Sequence, residues 1–221
     1  MIPKIIHRVW VGGREPEWQA SFRESWEQPG WELWQWGDED IEGLLLRNRP
    51  LYDKAEKIAG RFAGQFRADL IRYEILEQHG GVYVDADFEC LRPLDELEAM
   101  VGDADCFAAW EEPNVWINNA IFGAVPGHRF VNALISLLPQ SVVEHAGARP
   151  NIMVGPQFVT RVYRMGYEDD VLVLPKETFY PYLWNELGRE REDFPNAFAV
   201  HHWGNRRRER WQKMPRPRPT L

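Results

Sequence analysis

Residues Gly80 to Phe88 read GGVYVDADF, a short apolar run that ends in two aspartates one residue apart. In an extended chain residues i and i+2 project to the same side. Asp85 and Asp87 would then present two carboxylates together at the end of a strand. Open α/β sheets collect their ligands outside the carboxyl ends of the strands. Two bare carboxylates that close repel each other, and a divalent cation relieves the repulsion. Hard oxygen ligands favour Mg2+ or Mn2+ over metals that seek sulfur, and open coordination positions would take phosphate oxygens. The plainer alternative, an Asp-x-Asp that caps a turn, is weakened by the capped helix and buried strand that precede it.

Two further constellations could join this pair. In FRADLIRYEIL, Asp69 and Arg72 stand at i and i+3 and share a helix face. Alone they would be a surface ion pair worth about 0.3–0.5 kcal/mol. Beside the aspartates they could instead face a cleft, Arg72 toward a hydroxyl or phosphate and Asp69 toward a sugar hydroxyl. In AVHHWGN, a histidine after a short strand can offer a metal a nitrogen. Adjacent strand residues face opposite ways, so at most one of His201 and His202 reaches the site. Asn118-Asn119 and Gly155-Pro156-Gln157 read by themselves as turn and capping elements.

The elements that must position these groups follow from periodicity and punctuation. Lys4 to Val11 predicts a first strand closed by Gly12-Gly13, then a helix over Pro16 to Gln28 and a strand over Glu32 to Trp36. Asp38 is an N-cap candidate for a short helix through Leu46. Pro50 to Ile58 reads as helical, and Ala63 to His79 is the longest helical pattern. Phe62, Phe66, Leu70 and Tyr73 form its apolar stripe, and Gly80-Gly81 ends it. Strands are predicted at Val82–Val84, Cys106–Trp110, Val115–Gly123, Val171–Leu174 and Phe198–His201. Helices are predicted at Leu94–Val101, His128–Leu138 and Pro156–Met165. Strands alternating with helices indicate an α/β architecture with a mixed or mostly parallel sheet. One domain over 1–205 and a basic, proline-spaced tail over 206–221 complete the organisation.

Composition narrows the function. The net charge of −8 argues against a general nucleic-acid binder, although the tail from Arg206 holds seven Lys/Arg against one Glu. The stretch Arg206–Arg208 could add cationic help to an anionic ligand, close over it on binding, or meet anionic lipid or a partner. Two cysteines, Cys90 and Cys106, make no disulfide framework, and a cytoplasmic location is expected. No run approaches the roughly 20 apolar residues of a membrane span, and the N-terminus lacks a signal-peptide pattern. Any membrane contact is therefore expected to be peripheral. Eleven tryptophans offer faces for ligand stacking as well as for core packing.

In this order, IPKIIHRVW, RADLIRYEILEQHGGVYVDADFECLRPL, WINNAIFGAVPGH, GPQFVT and HHWGN resemble glycosyltransferase family 32, the transferases with a DXD-containing sugar-binding region that include yeast-type α-mannosyltransferases. The resemblance covers most of the chain. It implies a GT-A fold, a Rossmann-like mixed sheet flanked by helices. It also implies a UDP- or GDP-sugar donor, Mn2+ or Mg2+ as cofactor, and retention of the anomeric configuration. A glycan, lipid-linked or protein acceptor follows, with surface polysaccharide biosynthesis as one setting. Carried across by residue, Asp85, Asp87 and Asn119 form the catalytic group. Asp85 faces the ribose or the metal's water shell, Asp87 ligates the metal directly, and Asn119 lies beside the transferred sugar. Asp69 and Arg72 contact the donor sugar, Trp10 lies near the base, and His201 rather than His202 is the late metal or diphosphate ligand. The family's glycine-serine-tryptophan ending is replaced by Gly204-Asn205-Arg206, with Trp211 further on. Acceptor-recognition insertions are expected to be reduced.

Two other functions share these features. Some metal-dependent phosphatases and phosphotransferases place an aspartate pair after an apolar strand, the first as nucleophile, usually near the N-terminus. A non-catalytic nucleotide-sugar-binding protein would keep the cleft and bind donor without turning it over.

Overall fold

The computed structural model describes residues 1–204 apart from 187 and 191. The basic tail over 206–221, with Asn205, Arg206–Arg208 and Trp211, lies outside the described residues.

The first half of the chain builds β1 (Ile5–Val9), α1 (Glu17–Glu24), β2 (Glu32–Trp36), α2 (Asp38–Gly43), α3 (Arg49–Asp53), α4 (Ala55–Ala59), α5 (Ala63–His79), β3 (Gly81–Val84) and β4 (Phe88–Cys90). The second half adds α6 (Leu94–Val101), β5 (Cys106–Glu112), β6 (Trp116–Ala124), α7 (Arg129–Glu144), α8 (Pro150–Met153), α9 (Pro156–Tyr163), β7 (Leu172–Leu174) and β8 (Ala199–His201). Six strands form one sheet in the order β2-β1-β3-β6-β5-β7. β1 runs parallel to β2 and β3, β6 is antiparallel to β3 and β5, and β7 is parallel to β5. The sheet is therefore mixed. β4 and β8 pair separately as a two-stranded antiparallel sheet.

α5 is the central helix. Phe66, Leu70 and Tyr73 are buried as the apolar stripe requires, with Phe62 half-buried at the N-cap. Ile71, Ile75 and Leu76 are buried as well, so the helix is enclosed on more than one face. It ends at Gly80, whose φ of +65° suits glycine. A Cβ on Gly80 would stand 2.6 Å from the Pro126 ring, and one on Gly81 2.6 Å from the Ile5 carbonyl. The glycine pair therefore lets helix, turn and β3 pack closely against β1.

Several boundaries depart from the periodic reading. The stretch 50–58 divides into α3 and α4 around Lys54. Gly37, not Asp38, is the N-cap of α2; the Asp38 carboxylate instead accepts from the Gly12 N–H. α7 passes through Pro139 to Glu144 because Ser141 and Val142 enter the core there. That burial outweighs the one backbone hydrogen bond proline removes. β4 and α8, of three and four residues, carry no readable period.

Candidate active site

The carboxyl ends of β1, β3, β5 and β7 lie along one edge of the six-stranded sheet, because two antiparallel steps through β6 restore the direction of β3 in β5. Asp85 leaves β3 at that edge, its N–H donating to the Ala120 carbonyl at 2.7 Å. The chain does not stay extended through Asp87. Phe88 N–H returns to the Asp85 carbonyl at 3.1 Å, closing a turn, and β4 then departs toward β8. The change of direction is needed because β4 belongs to the other sheet. The two carboxylates nevertheless converge. Ligand atoms from Asp85, Asp87 and His201 all lie within 4.8 Å of one another.

Each half of the Asp85–Asp87 turn has its own support. On the six-stranded side, Arg72 Nη2 stands 3.0 Å from both Asp69 Oδ1 and Asp85 Oδ1. Arg72 also donates to the carbonyls of Ala68 and Asn119, and its guanidinium lies 4.4 Å from the Tyr83 ring centroid. The Tyr83 hydroxyl donates to Asp85 Oδ1 at 2.8 Å. Asp69 and Arg72 are each 2% exposed, which removes the surface-ion-pair alternative. The Asn119 amide donates to Asp69 Oδ1 at 2.9 Å and to the Tyr73 hydroxyl at 2.8 Å. Asn118-Asn119 is thus the middle of β6 and not a turn.

Asp69 Oδ2 remains buried without a hydrogen-bond partner. It looks onto Gly155, where a Cβ would come within 3.2 Å. Gly155 caps α9 and Pro156 opens it, as their types favour. Burial pushes the Asp69 carboxyl up to about 6 against the pull of Arg72.

On the two-stranded side, His201 Nε2 lies 3.0 Å from Asp87 Oδ1, and Gly204 N–H donates to Asp87 Oδ2. Trp203 has φ +56°, rare for a residue with a Cβ. The His201 ring is stacked on Phe88 at 4.7 Å and lies 4.2 Å from the Trp203 ring. Burial alone would raise the Asp87 carboxyl, but His201 and the Gly204 N–H hold it at about 2. His201 is raised above its ordinary value: burial lowers it, and Asp87 more than reverses that. Asp85 is raised by burial and by Asp87, against Arg72.

His202 turns the other way, as strand alternation requires. Its Nε2 meets Glu89 Oε2 at 2.9 Å, and its ring stacks on Phe22 at 4.6 Å. Trp10 stands one residue past β1 at the site edge, half-buried, with its indole nitrogen buried and unpartnered. Among the described residues no hydrogen bond joins Trp10 to the aspartates, Asp69 or Arg72.

The donor set fits a hard divalent cation. Two carboxylates converge with an imidazole, and His201 Nδ1 is buried without a partner. Oxygen with imidazole nitrogen suits Mn2+ and also accommodates Mg2+.

Two charged residues at the site were not singled out by sequence reasoning. Arg8, fully buried in β1, donates to the Ala86 carbonyl at 2.8 Å, inside the aspartate turn, and pairs with Glu15 at 3.1 Å. Its only sequence signal was a cation inside an apolar strand. Glu111, near the end of β5, accepts from the Asn118 amide at 2.8 Å.

Residues 17–107 match the family model of the glycosyltransferase sugar-binding region containing the DXD motif. The chain is 28% identical over 211 residues to inositol phosphoceramide mannosyltransferase 3 of Schizosaccharomyces pombe, covering 92% of this chain and 55% of that protein. It is 26% identical over 184 residues to lactosylceramide 4-alpha-galactosyltransferase of Gorilla gorilla gorilla, covering 73% of this chain and 53% of that protein. The chain thus spans about half the length of the curated relatives it matches. Among solved structures, the PaToxG glycosyltransferase aligns with a TM-score of 0.59 at 16% identity, covering 76% of this chain and 72% of that one. The α/β GT-A fold expected from the sequence is borne out.

Proposed function

We propose that this chain, whose residues 17–107 match the glycosyltransferase sugar-binding region containing the DXD motif, is a member of that family and transfers a hexose from a nucleoside-diphosphate-sugar to an acceptor hydroxyl with the help of Mn2+ or Mg2+. The observation that carries this reading is the convergence of Asp85, Asp87 and His201 at the carboxyl edge of the sheet. Three protein ligands leave coordination positions for diphosphate oxygens. When bound, the cation supplies Lewis-acid stabilisation where negative charge grows on the leaving diphosphate.

The chain's own residues do the rest by position. Asp87, kept ionised well below neutral pH, is ready as a ligand without giving up a proton. Arg72 holds Asp85 and Asp69 in one frame. The unpartnered Asp69 Oδ2 is placed to accept from a donor-sugar hydroxyl, with Asn119 orienting the same carboxylate. Trp10, with its unpartnered indole N–H at the edge, offers the nucleotide base a ring face and a donor. Retention of configuration is part of the proposal. The relatives' names, which speak of mannosyl and galactosyl transfer and of ceramide, support a hexosyl donor and a lipid-linked acceptor. No helix among the described residues is long and apolar enough to cross a membrane.

A thermal-shift panel tests the reading. UDP, GDP and their sugars, each with and without Mn2+, should stabilise the protein only in the metal's presence and with one base preferred. A ligand at a hundredfold its Kd contributes about 2.7 kcal/mol. No shift with any nucleotide, together with phosphate release from simple phosphomonoesters, would replace this reading with the phosphatase.

A further inference from the structure

Glu111, at the carboxyl end of β5, is a carboxylate that the proposed metal cluster does not use. Glu111 stands in the last turn of chain before the β5–β6 hairpin, and the pairing there is irregular. Trp110 pairs with Ile117 and Glu112 with Trp116, with a register shift between them that leaves Glu111 out of the ladder. An extra residue of this kind re-aims its side chain and is common beside active sites. β5 runs in the same direction as β3, so Glu111 and Asp85 emerge at the same edge.

One hydrogen bond fixes the Glu111 carboxylate. Asn118 Nδ2 donates to its Oε2 at 2.8 Å, while Asn118 Oδ1 is occupied by the Ala120 N–H at 2.8 Å. The Asn118 amide is thereby locked with its donor toward Glu111. Ala120 is also the residue whose carbonyl receives the Asp85 N–H, so one stretch of β6 positions both carboxylates. The Glu111 charge also reaches His201 and the buried Tyr180 phenol, favouring the protonated form of each. Lys176 and Glu112 are the other charged groups that act on it. Burial pushes the Glu111 carboxyl above its ordinary value, against the Asn118 hydrogen bond. A carboxylate that is half-buried beside other acids, and that has no cationic partner within ion-pair distance among the described residues, costs free energy unless a ligand uses it.

We propose that Glu111 is the acceptor-side carboxylate of the site: it accepts a hydrogen bond from the hydroxyl that attacks the donor sugar, with Asn118 as the positioning residue that aims it. The inference rests on the glycosyltransferase reading above. Asp69, Arg72 and Asn119 lie on the α5 side of the sheet's edge, where the donor sugar is assigned. Glu111 lies on the β5 side of the same edge, where its charge acts on Tyr180 and His201. The attacking group is an alcohol, a sugar or other polyol hydroxyl in the full reaction and water in its absence.

The test separates binding from turnover and needs no knowledge of the natural acceptor, because water reports on the same position. Mn2+-dependent stabilisation by the preferred nucleotide is measured first, then hydrolysis of its nucleotide-sugar under single-turnover conditions. Glu111→Gln should bind Mn2+ and nucleotide as the parent does, and melt no lower than it, since the amide oxygen can still accept from Asn118. Its hydrolysis of saturating donor should fall about ten- to a hundredfold, the size of a lost charged hydrogen bond. Glu111→Asp, with a shortened carboxylate, should recover part of the rate, and Asn118→Ala should lower it less than Glu111→Gln. Donor affinity falling tenfold with the single-turnover rate unchanged would overturn the proposal by moving Glu111 to the donor side. Unchanged binding and unchanged rate would overturn it by making Glu111 a surface group. A parent protein that shows no metal-dependent nucleotide stabilisation would fail the glycosyltransferase reading itself, a result distinct from either.

Discussion

The two aspartates of the turn are separated by one residue yet belong to differently built halves of the molecule. Asp85 is held by α5, β3 and β6, all buried, through Arg72, Tyr83 and the Ala120 carbonyl. Asp87 is held by β8 and the residues just after it, through His201 and the Gly204 N–H. The first half is a dense polar frame inside long elements. The second is two three-residue strands. The contrast teaches that the groups proposed to face the sugar are preset by the core, whereas the last proposed metal ligand is delivered by a small, separate piece of structure.

The sharpest way to break this comparison is Asp87→Asn. The amide keeps the shape and can still accept from Gly204 N–H, so the fold should persist. Metal-dependent nucleotide binding should vanish, and donor turnover should drop on the order of a thousandfold, read by nucleotide release. Persistence of the Mn2+ response would mean the two halves are not divided as described.

Arg72→Met probes the other half. It leaves the buried Asp69 and the half-buried Asp85 without their cation, a change expected to cost about 3 kcal/mol in urea unfolding. Adding Asp85→Asn should recover part of the loss, because one of the stranded charges is gone. A loss below about 1 kcal/mol, the scale of an exposed pair, would contradict the buried frame.

The two halves should also answer pH with opposite sign. In the core half, His7 Nδ1 accepts from the Trp36 indole and Nε2 donates to the Gly80 carbonyl, so the ring is neutral. Burial lowers its pKa from 6.5 to about 4. The unfolded chain takes the proton first, so stability is lost as pH falls from 6.5 toward 4, on the order of 3 kcal/mol at the acid end. His7→Gln should flatten that slope. His201, raised by Asp87 despite its burial, contributes stability that is full below pH 6.5 and is lost as pH rises through its elevated value. His201→Gln should remove that opposite dependence. Melting curves across pH 4–8 distinguish the two, and equal behaviour of both variants would erase the contrast.

The smallest expected effect is an internal control. His202 and Glu89 repeat the histidine–carboxylate pairing of His201 and Asp87 but face the core. Glu89→Gln should cost about 1 kcal/mol and leave the Mn2+ response unchanged. A weakened Mn2+ response would join Glu89 to the metal side.

Much of the core half was legible. α5 begins and ends where the apolar stripe and Gly80 put it, and β2 and α6 also match their patterns. Such elements announce themselves because many residues share one period. The metal half was legible in its residues but not in its form. Three-residue strands pairing at a distance have no period to read, so β4 was missed and the aspartate turn was taken as extended. The alternation of His201 and His202 needs only local backbone geometry and allowed just one of them to reach the aspartates; the resemblance favoured His201, and it is His201 that meets Asp87 while His202 meets Glu89. Arg8 escaped notice because a cation in a strand reads as an interruption, while its partners are Gln19, Gln35, Ala86 and Glu15, none of them adjacent in sequence. Glu111 escaped because the bulge that aims it depends on strand pairing.

The pairing of β4 with β8 also bears on how the molecule assembles. His201 meets Asp87 across 114 residues of chain. The helix–strand core that holds Asp85, Asp69 and Arg72 can form from contacts much closer in sequence, and such contacts are made first in folding. On a ribosome, the segment that completes the ligand set emerges late, after the sheet has had time to settle. The protein would thus pass through a native-like intermediate with Asp69, Arg72 and Asp85 in order and the proposed metal site unfinished. Capture of Mn2+ would then mark the end of folding, and its binding energy would favour the finished molecule over that intermediate.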